Sequence, residues 1–167
     1  MNIPKINIKY MGRDELQADL VDRGLKKFRA GQIMTWIYTH FASSFEEMTN
    51  IPKMERTLLS SVFSISTPNI VRTEISKDGT RKFLFALEDT HAIESVLIPD
   101  EDRQTLCISS QVGCEQACRF CLTGSKGLTR DLKAYEIIDQ VLEISRILQQ
   151  EGKRRITNIV LMGMGEP

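Results

Sequence analysis

Apolar residues recur at helical spacing from residue 13 to residue 65. Between Asp14 and Asp22 the pattern places Leu16, Leu20 and Val21 on one face, and Gly24 supplies a stop. Ile33, Ile37 and Phe41 follow at intervals of four with Trp36 beside them. This predicts a second helix packed on a core, with Trp36 inside it rather than held out as a base-stacking platform. Ser43 or Ser44 caps a short turn through Met48, and Asn50-Ile51-Pro52 punctuates. Lys53 to Phe63 then predicts a third helix with Met54, Leu58, Leu59 and Val62 turned inward.

The period changes to two after Pro68, the chosen domain boundary, which gives a helical accessory domain over 1–67 and a second region over 68–167. Val71, Thr73 and Ile75 alternate, Lys77-Asp78-Gly79-Thr80 is a hairpin signal, and Lys82 to Leu87 returns as a strand. Ile93–Ile98 and Gln104–Ile108 are two further strands, separated by Pro99 to Asp102. Lys133 to Gln150 is the clearest helix, with Ile137, Val141, Ile144 and Leu148 along one stripe. Lys133 stands where a Ser or Thr cap is expected, which leaves Asp131 as the predicted cap. Ile156 to Met162 reads as a short buried strand.

Strand, cysteine-bearing loop, helix, strand is a βα unit leading into the next strand, the grammar of a parallel barrel or doubly wound sheet. Reactive groups in such folds collect on loops at the carboxyl ends of strands. The cysteine loop and Gly163-Met164-Gly165-Glu166-Pro167 occupy equivalent ends of neighbouring strands, so they are expected to face one site. Two glycines there let backbone approach a ligand, and Glu166 can accept hydrogen bonds from an amine or hydroxyl.

Composition narrows the class. Apolar residues make up 41% and charged residues 26%, and no apolar run approaches the roughly 20 residues needed to span a bilayer, so no membrane partner is expected. With 22 basic and 22 acidic residues there is no global electrostatic signature of nucleic-acid binding, although local patches remain open. Residues 1–20 are polar and mixed in charge, unlike a signal peptide, so the thiols are expected to be reduced and the protein cytoplasmic.

Cys114, Cys118 and Cys121 form the most informative motif. Three thiolates can hold three corners of a 4Fe-4S cube and leave one iron open to substrate, whereas an electron-transfer cluster usually takes four. Zinc is the weaker case, because it wants four ligands and His40 and His91 lie far upstream. Cys107, seven residues before Cys114, reads by itself as a buried small hydrophobe. Glu94, between Ile93 and Val96, reads by alternation as facing solvent.

The cysteine motif, with Phe120 just before its last member and Gly165-Glu166-Pro167 after the next strand, resembles the signature of radical S-adenosylmethionine (SAM) enzymes. The wider text is similar to the RlmN-type adenosine C2-methyltransferases and their Cfr-like relatives. It includes Tyr38-Thr39-His40-Phe41, Phe45 to Thr49, Ile93 to Val96, Leu106 to Cys114 and Met162 to Pro167, so the likeness runs from about residue 13 to the last residue. The resemblance implies a fold: an α/β protein with a small N-terminal helical domain, a β-hairpin extension and the first βα units of an incomplete radical SAM (β/α) barrel.

It also implies chemistry. Cys114, Cys118 and Cys121 would hold the 4Fe-4S cluster, whose open iron binds SAM and cleaves it to a 5′-deoxyadenosyl radical when reduced by an external electron donor. Gly165 and Glu166 match the segment that contacts the SAM amino group. Cys107 matches a cysteine that resolves a protein–RNA adduct by deprotonation and disulfide formation, and Glu94 matches the carboxylate at the adenine, assigned as proton acceptor. The implied product is 2-methyladenosine in 23S rRNA and tRNA. Radical addition suits C2 of adenine, which is electron-poor and closed to ordinary polar methyl transfer. Candidate phosphate contacts are Arg23, Lys26, Lys27 and Arg29 in the first region, with Arg119, Lys126, Arg130 and Lys133 near the cysteines.

The methyl-carrying cysteine of that family has no counterpart among these 167 residues, so the chain alone is expected not to methylate RNA. A Cfr-like C8 methyltransferase and a non-catalytic iron-sulfur module that binds RNA remain as alternatives.

Overall fold

The computed structural model describes residues 5–116 and 118–167; residues 1–4 and Ala117, inside the cysteine motif, lie outside the described residues. The chain divides between Thr67 and Pro68 into two compact units.

In the first unit α1 (Arg13–Asp22) ends as the glycine predicts. Gly24 takes φ 80°, Leu25 N–H donates to Leu20 O and Gly24 N–H to Val21 O, a Schellman closure. α2 (Arg29–Tyr38) buries Ala30, Ile33 and Ile37. Phe41, expected on that stripe, lies outside the helix. His40 N–H takes the Thr35 carbonyl and Ala42 N–H the Trp36 carbonyl, turning the chain back with Phe41 left-handed at φ 58°. Trp36 is likewise not in the core: it is half-buried, and its indole N–H donates to Asn50 Oδ1 at 2.6 Å.

A one-turn 3-10 helix, Phe45–Glu47, follows Ser44, whose backbone N–H donates to Glu47 Oε1 at 2.9 Å. α3 (Lys53–Val62) buries Leu59 but leaves Met54 87% and Leu58 38% exposed, against expectation. Its inward stripe is instead Glu55, which binds buried Arg29, and Leu59, one position round from Met54 and Leu58. β1 (Ile6–Asn7) and β2 (Phe63–Ser64) pair in parallel and close this unit.

The second unit is a five-stranded sheet, a short ribbon and one long helix. β3 (Asn69–Ile75), β4 (Arg81–Ala86), β5 (Ala92–Pro99) and β6 (Gln104–Cys107) are antiparallel neighbours. β7 (Gln111–Gly113) and β8 (Leu128–Asp131) form a ribbon that the sequence did not predict, and the cysteine loop runs between them. α4 (Ala134–Gln150) then carries the chain to β9 (Asn158–Val160), parallel to β6. The predicted strand–helix–strand crossover is therefore present.

Phe83, Phe85, Ile93, Leu97 and Leu106 from one sheet face share a core with Ile144 and Leu148 of α4. At roughly 1.5–3 kcal/mol per fully buried large apolar side chain, this core is the main force holding sheet to helix.

Three expectations need correction here. Val71 and Ile75 are 58% and 67% exposed, because β3 is an edge strand with an irregularity between Ile70 and Arg72. The last strand is not buried: Ile159 is 51% exposed at the opposite edge. Asp131 does not cap α4. It lies in β8, where Oδ1 accepts from Gln111 Nε2, while Lys133 N–H, the last before the helix, donates to Glu136 Oε2 at 2.7 Å.

Candidate active site

Strand register decides which residues share a face. Lys82 pairs with Val96, Val96 with Cys107 and Cys107 with Val160, so these four form one row across β4, β5, β6 and β9. Directly opposite residues in a sheet point the same way, and alternation puts Glu94 on the same face as Val96. That face is the one turned away from the α4 core, because Ile93, Ser95 and Leu97 take the other side. Cys107 and Glu94, chosen by resemblance alone, thus lie on a common surface.

Their environments differ. Burial pushes the Cys107 thiol above its ordinary value, partly offset by the Met162 N–H. Glu94 keeps 43% of its side chain exposed and faces Lys82 Nζ at 3.4 Å, with Glu74 on the other side of the same ammonium at 3.3 Å. Hydrogen bonds from Lys82 to Glu74 and then Glu94 raise the lysine above its ordinary value. The carboxylate therefore stands half-exposed on the sheet face with an ammonium beside it.

The cysteine loop is fastened at its root. Gly113 takes φ 83°, and a Cβ there would overlap the Gly127 carbonyl oxygen and lie 3.0 Å from the Gly127 carbon, so no larger residue fits. Cys114 N–H donates to that same carbonyl at 3.1 Å, tying the start of the loop to its end. Cys114 is buried, Cys121 half-buried and Cys118 exposed, with Phe120 94% and Leu122 77% exposed beside them.

Backbone N–H groups of Gly124 and then Thr123 pull the Cys121 thiol below its ordinary value, toward the thiolate that binds metal. All four cysteines are free thiols, and no disulfide at Cys107 is present within this chain. Among the described residues no three His, Cys, Asp or Glu side chains are gathered into a chelating group. In kind and number the loop's donors suit an iron-sulfur cluster.

The glycine-rich segment after β9 locks onto the strand ends that carry the cysteines. Ser110 N–H and Gln111 N–H both donate to Met164 O, at 2.8 and 3.1 Å. Met164 N–H returns a bond to Ser109 Oγ, and Glu166 N–H donates to Gln111 Oε1. Gly165 sits at φ 102° with space for a Cβ closed by Gln111 Cβ at 2.6 Å and Ser110 Oγ at 2.7 Å. Gly165 and Glu166 thus stand beside the root of the cysteine loop, as the strand-end argument expected.

Sequence reasoning missed the polar scaffold under this arrangement. Gln140 of α4 is fully buried and makes four hydrogen bonds. Its Oε1 accepts from Ser95 Oγ and Ser109 N–H, and its Nε2 donates to Ser109 O and Glu136 O. Ser109 Oγ, besides accepting from Met164, donates to Glu94 O at 2.6 Å, so one side chain on α4 sets the strand ends that bear Glu94, the cysteine loop and the glycine segment. A glutamine amid Ile137, Val141 and Ile144 on an apolar helix was the available signal.

Several predicted phosphate contacts are occupied. Arg29 is buried and bidentate to Glu55, Arg23 binds Asp19, and Arg130 binds both Asp89 and Glu136. Lys26, Lys27, Arg119 and Lys126 are exposed.

Residues 6–65 match the ribosomal RNA large subunit methyltransferase N-terminal domain. The chain is 51% identical over 162 residues to the dual-specificity RNA methyltransferase RlmN of Geobacter sulfurreducens, covering 97% of this chain and 43% of that protein. It is 46% identical over 167 residues to the RlmN of Syntrophus aciditrophicus, covering all of this chain and 47% of that one. A crystal structure of a radical SAM methyltransferase from Sphaerobacter thermophilus superposes with a TM-score of 0.88 at 40% identity, covering 97% of this chain and 48% of that one. The chain therefore spans less than half the length of the curated relatives it matches. A helical unit matching that N-terminal domain, followed by a sheet whose cysteine loop and glycine segment meet at adjacent strand ends, belongs to the RlmN-type family and corresponds to its N-terminal part.

Proposed function

We propose that this chain supplies the cluster loop and part of the active-site wall of a radical SAM methyltransferase that makes 2-methyladenosine in 23S rRNA and tRNA. The observation that carries this reading is the mutual lock between the cysteine loop's root and Met164 to Glu166. These hydrogen bonds tie Met164 to Glu166 to the strand end from which the loop bearing the three thiols departs. Cys114, Cys118 and Cys121 would hold a 4Fe-4S cluster, with SAM against Gly165 and Glu166. When bound, cluster and cosubstrate supply radical chemistry, started by an electron from an external donor.

This chain's own residues then have separate tasks. Glu94 accepts a proton at the adenine, and Lys82, 3.4 Å away, holds that carboxylate in place. Cys107, on the same sheet face, is the thiol that resolves the adduct, and its raised affinity for a proton keeps it neutral until that step. The target adenosine has to be unpaired or flipped to reach this surface. A cytoplasmic setting fits four free thiols. No helix among the described residues is long and apolar enough to cross a membrane.

The test uses the longer protein that carries this sequence, reconstituted anaerobically and supplied with SAM, dithionite and an rRNA or tRNA substrate. The expected result is reductive cleavage of SAM and 2-methyladenosine by mass spectrometry. An 8-methyladenosine product would move the protein to the Cfr-like class, and intact SAM would reduce it to a non-catalytic module.

A further inference from the structure

The first unit has a cavity of about 630 Å³ between the start of α1 and the outer side of α2, within the size range of small-ligand sites. Its lining includes the rings of Phe28, Trp36 and His40 and one cation, Arg13. Trp36 is pinned by the bond from its indole N–H to Asn50, and its ring centroid lies 4.9 Å from that of His40 at an interplanar angle of 49°, so the two rings splay open. Phe28 is 53% exposed on the wall, with Lys26 Nζ 6.0 Å from its ring centroid. Arg13 completes the lining and reaches across Gly31, where a Cβ would stand 3.5 Å from its terminal nitrogen.

We infer that this cavity binds one unpaired nucleotide of an RNA strand, its base stacked against both Phe28 and Trp36 and its phosphate paired with Arg13. No carboxylate lines the cavity, and Arg13, Lys26 and Lys27 have no carboxylate partner among the described residues, so the charge suits a polyanion. Exposed aromatic faces beside uncommitted cations are the combination that single strands require, since every base offers a π-face while a duplex hides its own. The tryptophan's half-exposed position has the same sense: its polar edge is satisfied internally and its face is left to the cavity. This site lies wholly within the first unit and takes no part in the chemistry proposed above, although it rests on the reading that RNA is the partner.

Trp36 is the chain's only tryptophan, so binding reports itself through intrinsic fluorescence. The chain is titrated with a short single-stranded oligoadenylate, with an RNA duplex of equal length, and with an acidic peptide. The single strand should quench saturably. Phe28→Ala and Arg13→Ala, both at exposed positions, should each weaken it roughly tenfold with far-UV circular dichroism unchanged, the scale expected for one stacked base. Trp36→Phe should retain binding, read by anisotropy of labelled RNA, because a stacking face remains. Equal affinity for duplex and single strand, indifference to Phe28→Ala, or equal binding of the acidic peptide would overturn the inference. Those outcomes leave the cluster untouched, whereas failure of SAM cleavage in the longer protein leaves this titration untouched, so the two readings fail separately.

Discussion

Gly113→Ala is the substitution that most directly probes how the cysteine loop is built. Alanine at φ 83° incurs about 1–2 kcal/mol for the left-handed region. Its methyl group would also overlap the Gly127 carbonyl, and the obstructing atoms are backbone, with the Leu128 Cα a further 3.3 Å neighbour. Overpacking of this kind adds about 1–3 kcal/mol. The sum, about 3 kcal/mol or more, is to be spread over a unit of one hundred residues, Pro68–Pro167. At about 4–8 °C per kcal/mol, its melting transition should fall by more than about 10 °C.

Gly152→Ala is the control, since Gly152 has a positive φ of 64° but nothing within 4 Å of a Cβ, and should lose only the left-handed contribution of about 1–2 kcal/mol. Thermal melts followed by circular dichroism, with iron content after anaerobic reconstitution, give both readouts. Similar melting points for the two variants, or undiminished iron in Gly113→Ala, would show that the Gly113–Gly127 contact does not shape the loop.

Other consequences are independent of that contact. Gln140→Leu removes four hydrogen bonds from a site where Ser95 and Ser109 are at most 1% exposed; it should cost roughly 3 kcal/mol in urea unfolding, and a loss under 1 would mean the network is not structural. Burial pushes the Glu136 carboxyl up, but Arg130 and the Lys133 N–H outweigh it and leave it below its ordinary value. This contribution is therefore full above the unfolded carboxylate range, near pH ~4.3, and is lost as pH falls through the lower folded value. Arg130→Met should be less stable at pH 7 and lose less on acidification, and parallel pH profiles for the two proteins would contradict the assignment. In the longer protein, Glu94→Gln and Cys107→Ala should each retain the cluster and SAM cleavage but lose methylated product. Full product formation by either would remove that residue from the chemistry.

Much of the fold follows from local rules that act over a few residues. The Gly24 stop and the Asp78-Gly79 hairpin appear where turn chemistry puts them, because each is fixed by nearest neighbours, and the strand–helix–strand crossover appears because the order of elements demands it. Failures cluster where tertiary packing chooses between adjacent stripes. Met54 and Leu58 lose to Leu59, and Val71 and Ile75 point outward on an edge strand, choices that depend on what the rest of the chain covers. The β7–β8 ribbon escaped notice because its strands are short and separated by the whole cysteine loop. At the site, glycine and cysteine spacing located the strand-end meeting point, but the register that puts Cys107 and Glu94 on one face required the pairing itself. Gln140 was visible only as an anomaly on an apolar helix, and its three partners, Ser95, Ser109 and Glu136, come from three separate segments of chain.

The most direct test of the central claim is the metal and sulfide content of the anaerobically reconstituted chain and its four single cysteine variants, with electron paramagnetic resonance after reduction, with and without SAM. Iron and sulfide should bind in equal amounts and be lost in Cys114→Ala, Cys118→Ala and Cys121→Ala but kept in Cys107→Ala, and SAM should change the reduced signal. Zinc in place of iron, iron retained when Cys118 is replaced, or a signal indifferent to SAM would contradict the account.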